Sequence, residues 1–370
     1  MAPNAPDGPA IPPVLLERLR SDAGPDGFLR FDRVVDRALY DPAAGYYEAA
    51  EPPLGPRGDF YTAAHASPLY GASLGARAFE EFERLGRPAR FRIVEVGPGD
   101  GTLARDLLTA LVARIPAAAT IEYVLVERSE RLARATTEAL LAVADPGRVE
   151  VRRAGGIGAD GPFAGFLVAN ELLDALPFRR LIARDGRWRE LGVRVGPRGV
   201  AWAEGPLGPL PPPGLPDPPR DGVVLEVSPA GEALMREIAD HLVAGSAVLI
   251  DYGFEETELL LGHPEGTLAA VRAHRPVEDP LAELGRADLS AFVNFTRLRA
   301  AARRAGLVER AYLGQAEALA RWGIAPLLEE RARAAGSSEA EVRVRLAAKN
   351  LLFGFGNFRV LELGPPGPAG

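Results

Sequence analysis

The sequence predicts an α/β protein: a Rossmann-like, mostly parallel sheet with helices on both faces, carrying an N-terminal helical and loop cap and insertions. Three observations predict it. From Phe91 onward, short apolar runs alternate with segments of helical periodicity. The first run, FRIVEV, passes into a helical segment through the glycine turn GPGDG. Polar and acidic residues follow directly on the ends of later runs, as in FLVANELLD. Alternation of this kind pairs strands in parallel, and the carboxyl edge of such a sheet is where ligands bind.

The 370 residues are 47% hydrophobic and 25% charged, with a net charge of −7. This balance is ordinary for a globular chain and argues against nucleic-acid binding. No apolar run approaches the roughly 20 residues of a membrane span. The absence of cysteine removes disulfides, thiolate metal sites and a cysteine nucleophile, and no metal site is expected. The first residues, MAPNAPDGPAIPPVLL, show neither the secretory nor the transit pattern, so a cytoplasmic protein is expected.

In chain order, residues 1–13 read as a Pro-rich tail and 14–88 as a cap segment that contributes to the cofactor pocket. The cap holds helical spacing at Val14–Arg20 and Phe31–Leu39, a loop rich in Gly, Pro and aromatics from Tyr40 to Tyr61, and a helix from Pro68 to Arg84. Residues 89–370 form the main domain, with strands expected at 91–96, 121–126, 149–152, 164–169 and 246–251. Two stretches interrupt the rhythm. Residues 184–222 read as a hairpin and a Pro-rich connection, and 254–300 as a second insertion. A helix at 296–305, a strand-like LVERAYL, helices at 315–334 and 338–350 and a closing strand FRVLEL complete the chain.

Glycines 97, 99 and 101 let the backbone turn with positive φ and let a ligand approach closely. Their spacing disfavours a dinucleotide, because the third glycine of G-x-G-x-x-G is replaced by Thr102. A phosphate loop is disfavoured too, since its length and lysine are missing. What remains is E-x-G-x-G-x-G, with Glu95 ahead of the loop and Glu127 ending the next strand. Glu127 can accept both hydroxyls of an adenosine ribose, and Glu95 can meet a cationic methionine moiety. That is the layout of a class I fold binding S-adenosylmethionine; the bland alternative is a tight turn with a solvated strand end.

Asn170, Glu171 and Asp174 follow the strand 164–169; Asn170 and Glu171 are placed facing the transferring methyl, with Asp174 a secondary partner of the acceptor. A carboxylate there can orient a nucleophile or pair with a guanidinium; Asp174 serves equally well as a helix cap. Asp251 and Tyr252 end the strand in AVLIDYGF and either line the acceptor side or pack within the core. His274, near Asp279 in the second insertion, is a secondary acceptor partner or an exposed polar residue.

The ordered set LYDPAAGYY, GDFYTA, VEVGPGDGTLARDLL, ANELLDALP, LEVSPA, LIDYGF, GTLAAVRAH and ADLSAFVNF resembles the MidA family of class I methyltransferases, related to a mitochondrial complex I assembly factor. The resemblance runs from about residue 36 to 362. It implies that Gly58, Asp59, Phe60 and Thr62 lie over the methionine end of the cofactor. It implies a protein arginine as methyl acceptor, with a respiratory-complex subunit as the kind of partner. Asn294, standing where the family usually has the aspartate of VDF, and the ADLSAF stretch depart from the pattern. The alternatives are a small-molecule O- or N-methyltransferase, or an assembly factor that binds the cofactor without turnover.

Overall fold

A computed structural model of the chain describes residues 11–48, 62–208, 212–218 and 220–367. Seven strands form the central sheet: β1 (Arg90–Val96), β2 (Thr120–Val126), β3 (Val149–Ala154), β4 (Phe163–Asn170), β5 (Leu242–Phe254), β6 (Val308–Gly314) and β7 (Phe358–Gly364). Their order is β6-β7-β5-β4-β1-β2-β3, and the short strand Val293–Asn294 adds to the end of β5. Strands β1 to β5 run parallel to their neighbours, whereas β7 is antiparallel to both β5 and β6. The register aligns Val96 with Val126 and Ala169, and Asn170 with Ile250. The residues that follow these strand ends therefore meet along one edge.

Each face of the sheet buries its own core. On one side Phe91, Ile93, Tyr123 and Phe166 pack under the helices Pro68–Arg84 and Thr102–Val112 and the C-terminal helices. On the other, Val94, Leu167 and Leu249 pack under Pro229–His241 and Phe295–Arg304. Strands buried on both faces need apolar residues on both, which β4 supplies from Phe163 to Ala169 and β1 at Phe91, Ile93, Val94 and Val96. Side-chain caps set the helix starts. Ser67 accepts from Leu69 N, Ser129 from Leu132 N and Ser228 from Gly231 N.

The cap helices Pro13–Asp22 and Phe31–Tyr40 share a third apolar cluster with Phe178, Val193 and Leu289. Here the structure departs from the expected surface hairpin at 184–222. Arg179–Arg184, Arg187–Val195, Val200–Gly205 and Val224–Val227 form an antiparallel sheet, extended by the cap strand Phe28–Leu29. Phe28 pairs with Arg194 across the sequence, a contact that local periodicity does not encode. The helix expected at 315–334 is two, Gln315–Arg321 and Ile324–Ala334, because Gly323 takes φ +78 between them.

Candidate functional site

The carboxyl ends of β1, β2 and β4 open into a cleft of two adjoining cavities that share Gly97, Gly99 and Glu171. The larger, about 340 Å³, is lined by Tyr40 and Tyr47 of the cap, by Val126, Glu127 and Arg128, and by Leu172, Leu176 and Leu234. The smaller, about 60 Å³, holds Thr62, His65, Glu95, Asp100, Asn170 and Glu171.

The glycine loop is built as its sequence requires. Gly97, Gly99 and Gly101 have φ of 69°, 59° and 81°, in the left-handed region that side chains disfavour. A Cβ on Gly97 would come within 2.7 Å of Leu172 Cδ1. Thr136 Oγ1 donates to Gly99 O at 2.9 Å and ties the loop to the helix Glu130–Leu141.

Glu127 stands at the wall of the larger cavity, where Ser129 N donates to its Oε1 at 2.9 Å. Burial raises its carboxyl above the usual range, against backbone donors that include Ser129 and Gly99. Beside it, the Arg128 guanidinium lies 4.2 Å from the centre of the Tyr40 ring, and Tyr40 OH donates to Ala175 O at 3.0 Å. A largely apolar slot with the Glu127 carboxylate at its wall suits a nucleoside whose ribose hydroxyls need acceptors.

Around the smaller cavity the groups are mostly acidic. Tyr123 OH donates to Glu95 Oε2 at 2.6 Å, and burial pushes the Glu95 carboxyl up to about 7. Glu171 adopts φ +49, a strained value for a residue with a side chain. Its Oε1 accepts from Ala63 N at 3.1 Å and from Asn170 Nδ2 at 3.3 Å, and burial pushes it up to about 7. Tyr70 OH donates to Asn170 Oδ1 at 2.5 Å, which fixes the amide so that its nitrogen faces Glu171.

Asp251 holds this turn from beneath. Its Oδ2 accepts from Leu173 N at 2.7 Å and Asp174 N at 3.3 Å, and its Oδ1 from Tyr252 N at 2.9 Å. Burial and the neighbouring Asp174 and Glu171 carboxylates push Asp251 up, opposed by those backbone donors. Asp174 is also raised by burial, to about 6, and accepts from the Tyr252 hydroxyl. Among the described residues no arginine or lysine pairs with Glu171, Asp174 or Asp251.

The residues singled out by sequence thus separate. Thr62, Glu95, Gly97, Gly99, Glu127, Asn170 and Glu171 line the cleft, with Gly101 shaping its loop. Asp174 lies beneath it and lines a different, smaller cavity with Phe178 and Arg297. His274 is not at the site. It occupies the exposed turn between the strands Ala269–Arg272 and Arg275–Pro276, at φ +58, and lines neither cavity. Gly58, Asp59 and Phe60 lie outside the described residues.

Sequence reasoning missed His65 and Asp100. His65 Nε2 is 2.8 Å from Asp100 Oδ2, while its Nδ1 is 2.8 Å from Thr62 Oγ1. The signal was present as T-A-A-H, a capping pattern that sets Thr62 and His65 together at the start of the helix Ala63–Ala66. It missed Tyr70 as well, because a tyrosine within an amphipathic helix reads as core. The fit to an adenosine-bearing sulfonium rests on the side-chain-free glycine loop, the acceptor oxygens of Glu127 and the cation-poor acidic end.

A family model described as an S-adenosyl-L-methionine-dependent methyltransferase matches residues 73–313. Protein arginine methyltransferase NDUFAF7, mitochondrial, of Xenopus tropicalis is 30% identical over 313 residues, covering 77% of this chain and 70% of that protein. The Drosophila melanogaster homologue is 30% identical over 322 residues, covering 80% and 71%. A Burkholderia thailandensis crystal structure bound to S-adenosyl-homocysteine superposes with a TM-score of 0.83 at 30% identity, covering 98% of this chain and 94% of that one. The Xenopus and Drosophila relatives are named mitochondrial, and that finding overturns the cytoplasmic expectation. Compartment is written in address segments read by receptors, so the composition of a folded domain could not have carried it.

Proposed function

The chain belongs to the S-adenosyl-L-methionine-dependent methyltransferase family, and from that premise we propose that it methylates an arginine side chain of a protein. The observation that carries the arginine reading is the buried carboxyl group of Glu171, Asp174 and Asp251, which has no arginine or lysine partner among the described residues. Carboxyls that burial holds back from ionising regain their charge when a cationic ligand arrives beside them. The names of the mitochondrial relatives support the same reading, and a respiratory-complex subunit is the acceptor we propose.

S-adenosylmethionine is the cofactor and supplies an electrophilic methyl on a cationic sulfur. The chain's own residues do the rest by positioning. The glycine loop and Glu127 hold the adenosine, and Thr62, Asp100 and Glu95 surround the methionine end. Glu171 would face the acceptor guanidinium, localise its charge and leave one nitrogen lone pair toward the methyl. Asn170 keeps the Glu171 carboxylate turned to that task through its 3.3 Å bond.

The test is incubation of the purified chain with labelled S-adenosylmethionine and cell extract, followed by acid hydrolysis of the labelled protein. Label in methylarginine is expected. Label confined to other amino acids or to small molecules would overturn the arginine reading.

A further inference from the structure

Besides Glu127 and Glu171, the larger cavity has a third carboxylate in its wall, Glu237. The helix Pro229–His241 presents Ala230, Ala233, Leu234 and Glu237 to that cavity, the i, i+3, i+4, i+7 spacing of one helix face. Leu234 belongs to the same apolar cluster as Val126, Leu172 and Leu176, which line the cavity with it. One oxygen of Glu237 is held in place. Ile157 N donates to its Oε1 at 2.8 Å and anchors the side chain to the loop leaving β3. Gly156 makes room for this contact, since a Cβ there would stand 2.9 Å from the same oxygen. The other oxygen, Oε2, has no hydrogen-bond partner among the described residues.

We propose that Glu237 Oε2 accepts from the 6-amino group of the cofactor's adenine and makes the pocket select a 6-aminopurine. The place of the base follows from the groups on either side of it. The methionine end lies where the two cavities meet, at Gly97, Gly99 and Glu171, and Glu127 takes the ribose. What is left of the larger cavity is the apolar part between Val126, Leu172, Leu176 and the helix wall, and Glu237 lines the larger cavity only. Its tie to the loop leaving β3 sets it toward the β2–β3 side of the sheet edge, beyond Glu127, whereas Asn170 and Glu171 follow β4.

The chemistry of the group selects the base. Adenine presents an amino donor at position 6, where a 6-oxopurine presents a carbonyl. A carboxylate only accepts, so it pairs with the amino group and repels the carbonyl. A site built around such a contact rejects the analogue that lacks it, because its polar group is left unpaired. Arg128, also in the cavity wall, cannot take this part. Its guanidinium only donates, and it is turned to Asp36 Oδ1 at 3.1 Å and to the Tyr40 ring.

Titration calorimetry of the full chain with S-adenosylhomocysteine and with S-inosylhomocysteine, its 6-oxo counterpart, tests the contact. The wild type should bind the adenine compound at least about tenfold more tightly. Glu237→Gln can keep its carbonyl on Ile157 N and turn its amide nitrogen to the cavity, so the ratio of the two affinities should move at least about tenfold toward the inosine compound. Glu237→Ala should bind the two alike. Because the readout is a ratio, a general weakening of the pocket does not imitate the effect. Equal affinities in the wild type, or the wild-type ratio retained in both variants, would overturn the proposal. Loss of both compounds from both variants would overturn it too, and would leave Glu237 as the anchor of the loop alone.

Discussion

His65 Nε2 lies 2.8 Å from Asp100 Oδ2, joining the cap to the glycine loop. The short helix that carries His65 also donates from Ala63 N to Glu171. One turn of helix thus touches both the cofactor loop and the carboxylate assigned to the acceptor. Removing the imidazole should loosen the loop without disturbing the acceptor side. His65→Ala is expected to raise KM for S-adenosylmethionine about tenfold, the loss of one hydrogen bond to a charged group, while KM for the acceptor stays unchanged. His65→Gln, which retains a donor, should recover much of the loss. Steady-state kinetics with each substrate varied in turn will check it.

Gly99 has φ +59 in a loop whose backbone faces the cleft. A β-branched side chain disfavours that conformation and would fill the approach. Gly99→Val is expected to abolish cofactor binding. Titration calorimetry of a folded Gly99→Val protein with unchanged affinity would refute the pocket assignment.

Glu127→Ala removes acceptor oxygens at the wall of the larger cavity. Binding should weaken by about 1.5 to 3 kcal/mol, the range for hydrogen bonds to charged groups. The melting temperature of the free protein should change little by comparison. An unaltered isotherm would move ribose recognition elsewhere.

Glu171 is held up to about 7 by burial. Below that pH it carries a proton and cannot pair with a guanidinium, so kcat/KM for the acceptor should rise as pH increases through about 7. Glu171→Gln should lower turnover at least about tenfold, roughly 1.4 kcal/mol in the barrier, and flatten that rise. A normal rate for the variant would leave Glu171 a structural carboxylate only.

Glu95, also raised to about 7, makes a stability prediction. The folded state keeps this proton to higher pH than the unfolded chain, whose usual value is 4.5. Its contribution to stability is therefore present below that value and is lost as pH rises toward 7. Glu95 should account for about 1 to 3 kcal/mol of the stability that the cofactor-free protein loses between pH 5 and 8, read as the difference between wild type and Glu95→Gln. Denaturant titrations at both pH values decide it.

The sequence by itself determined the strand and helix rhythm, the glycine loop and the acidic residues that end β2 and β4. Each of these is local: a period, a run, a φ that only glycine accepts easily. For the same reason E-x-G-x-G-x-G and Glu127 could be read as one ligand's contacts before any coordinates.

Only the tertiary structure decided which residues share the cleft. Residues separated by 35 positions, His65 and Asp100, or by 108, Ala63 and Glu171, meet because the cap folds back over the sheet edge. His274 had the right chemistry and the wrong place, since the turn of a hairpin projects it into solvent. Asp251 shows the same limit from inside the core. Its sequence position named a strand end, but its task of accepting the N–H groups of Leu173 and Asp174 depends on β5 lying beside β4. Strand adjacency is set by packing over the whole chain, and no window of sequence contains it.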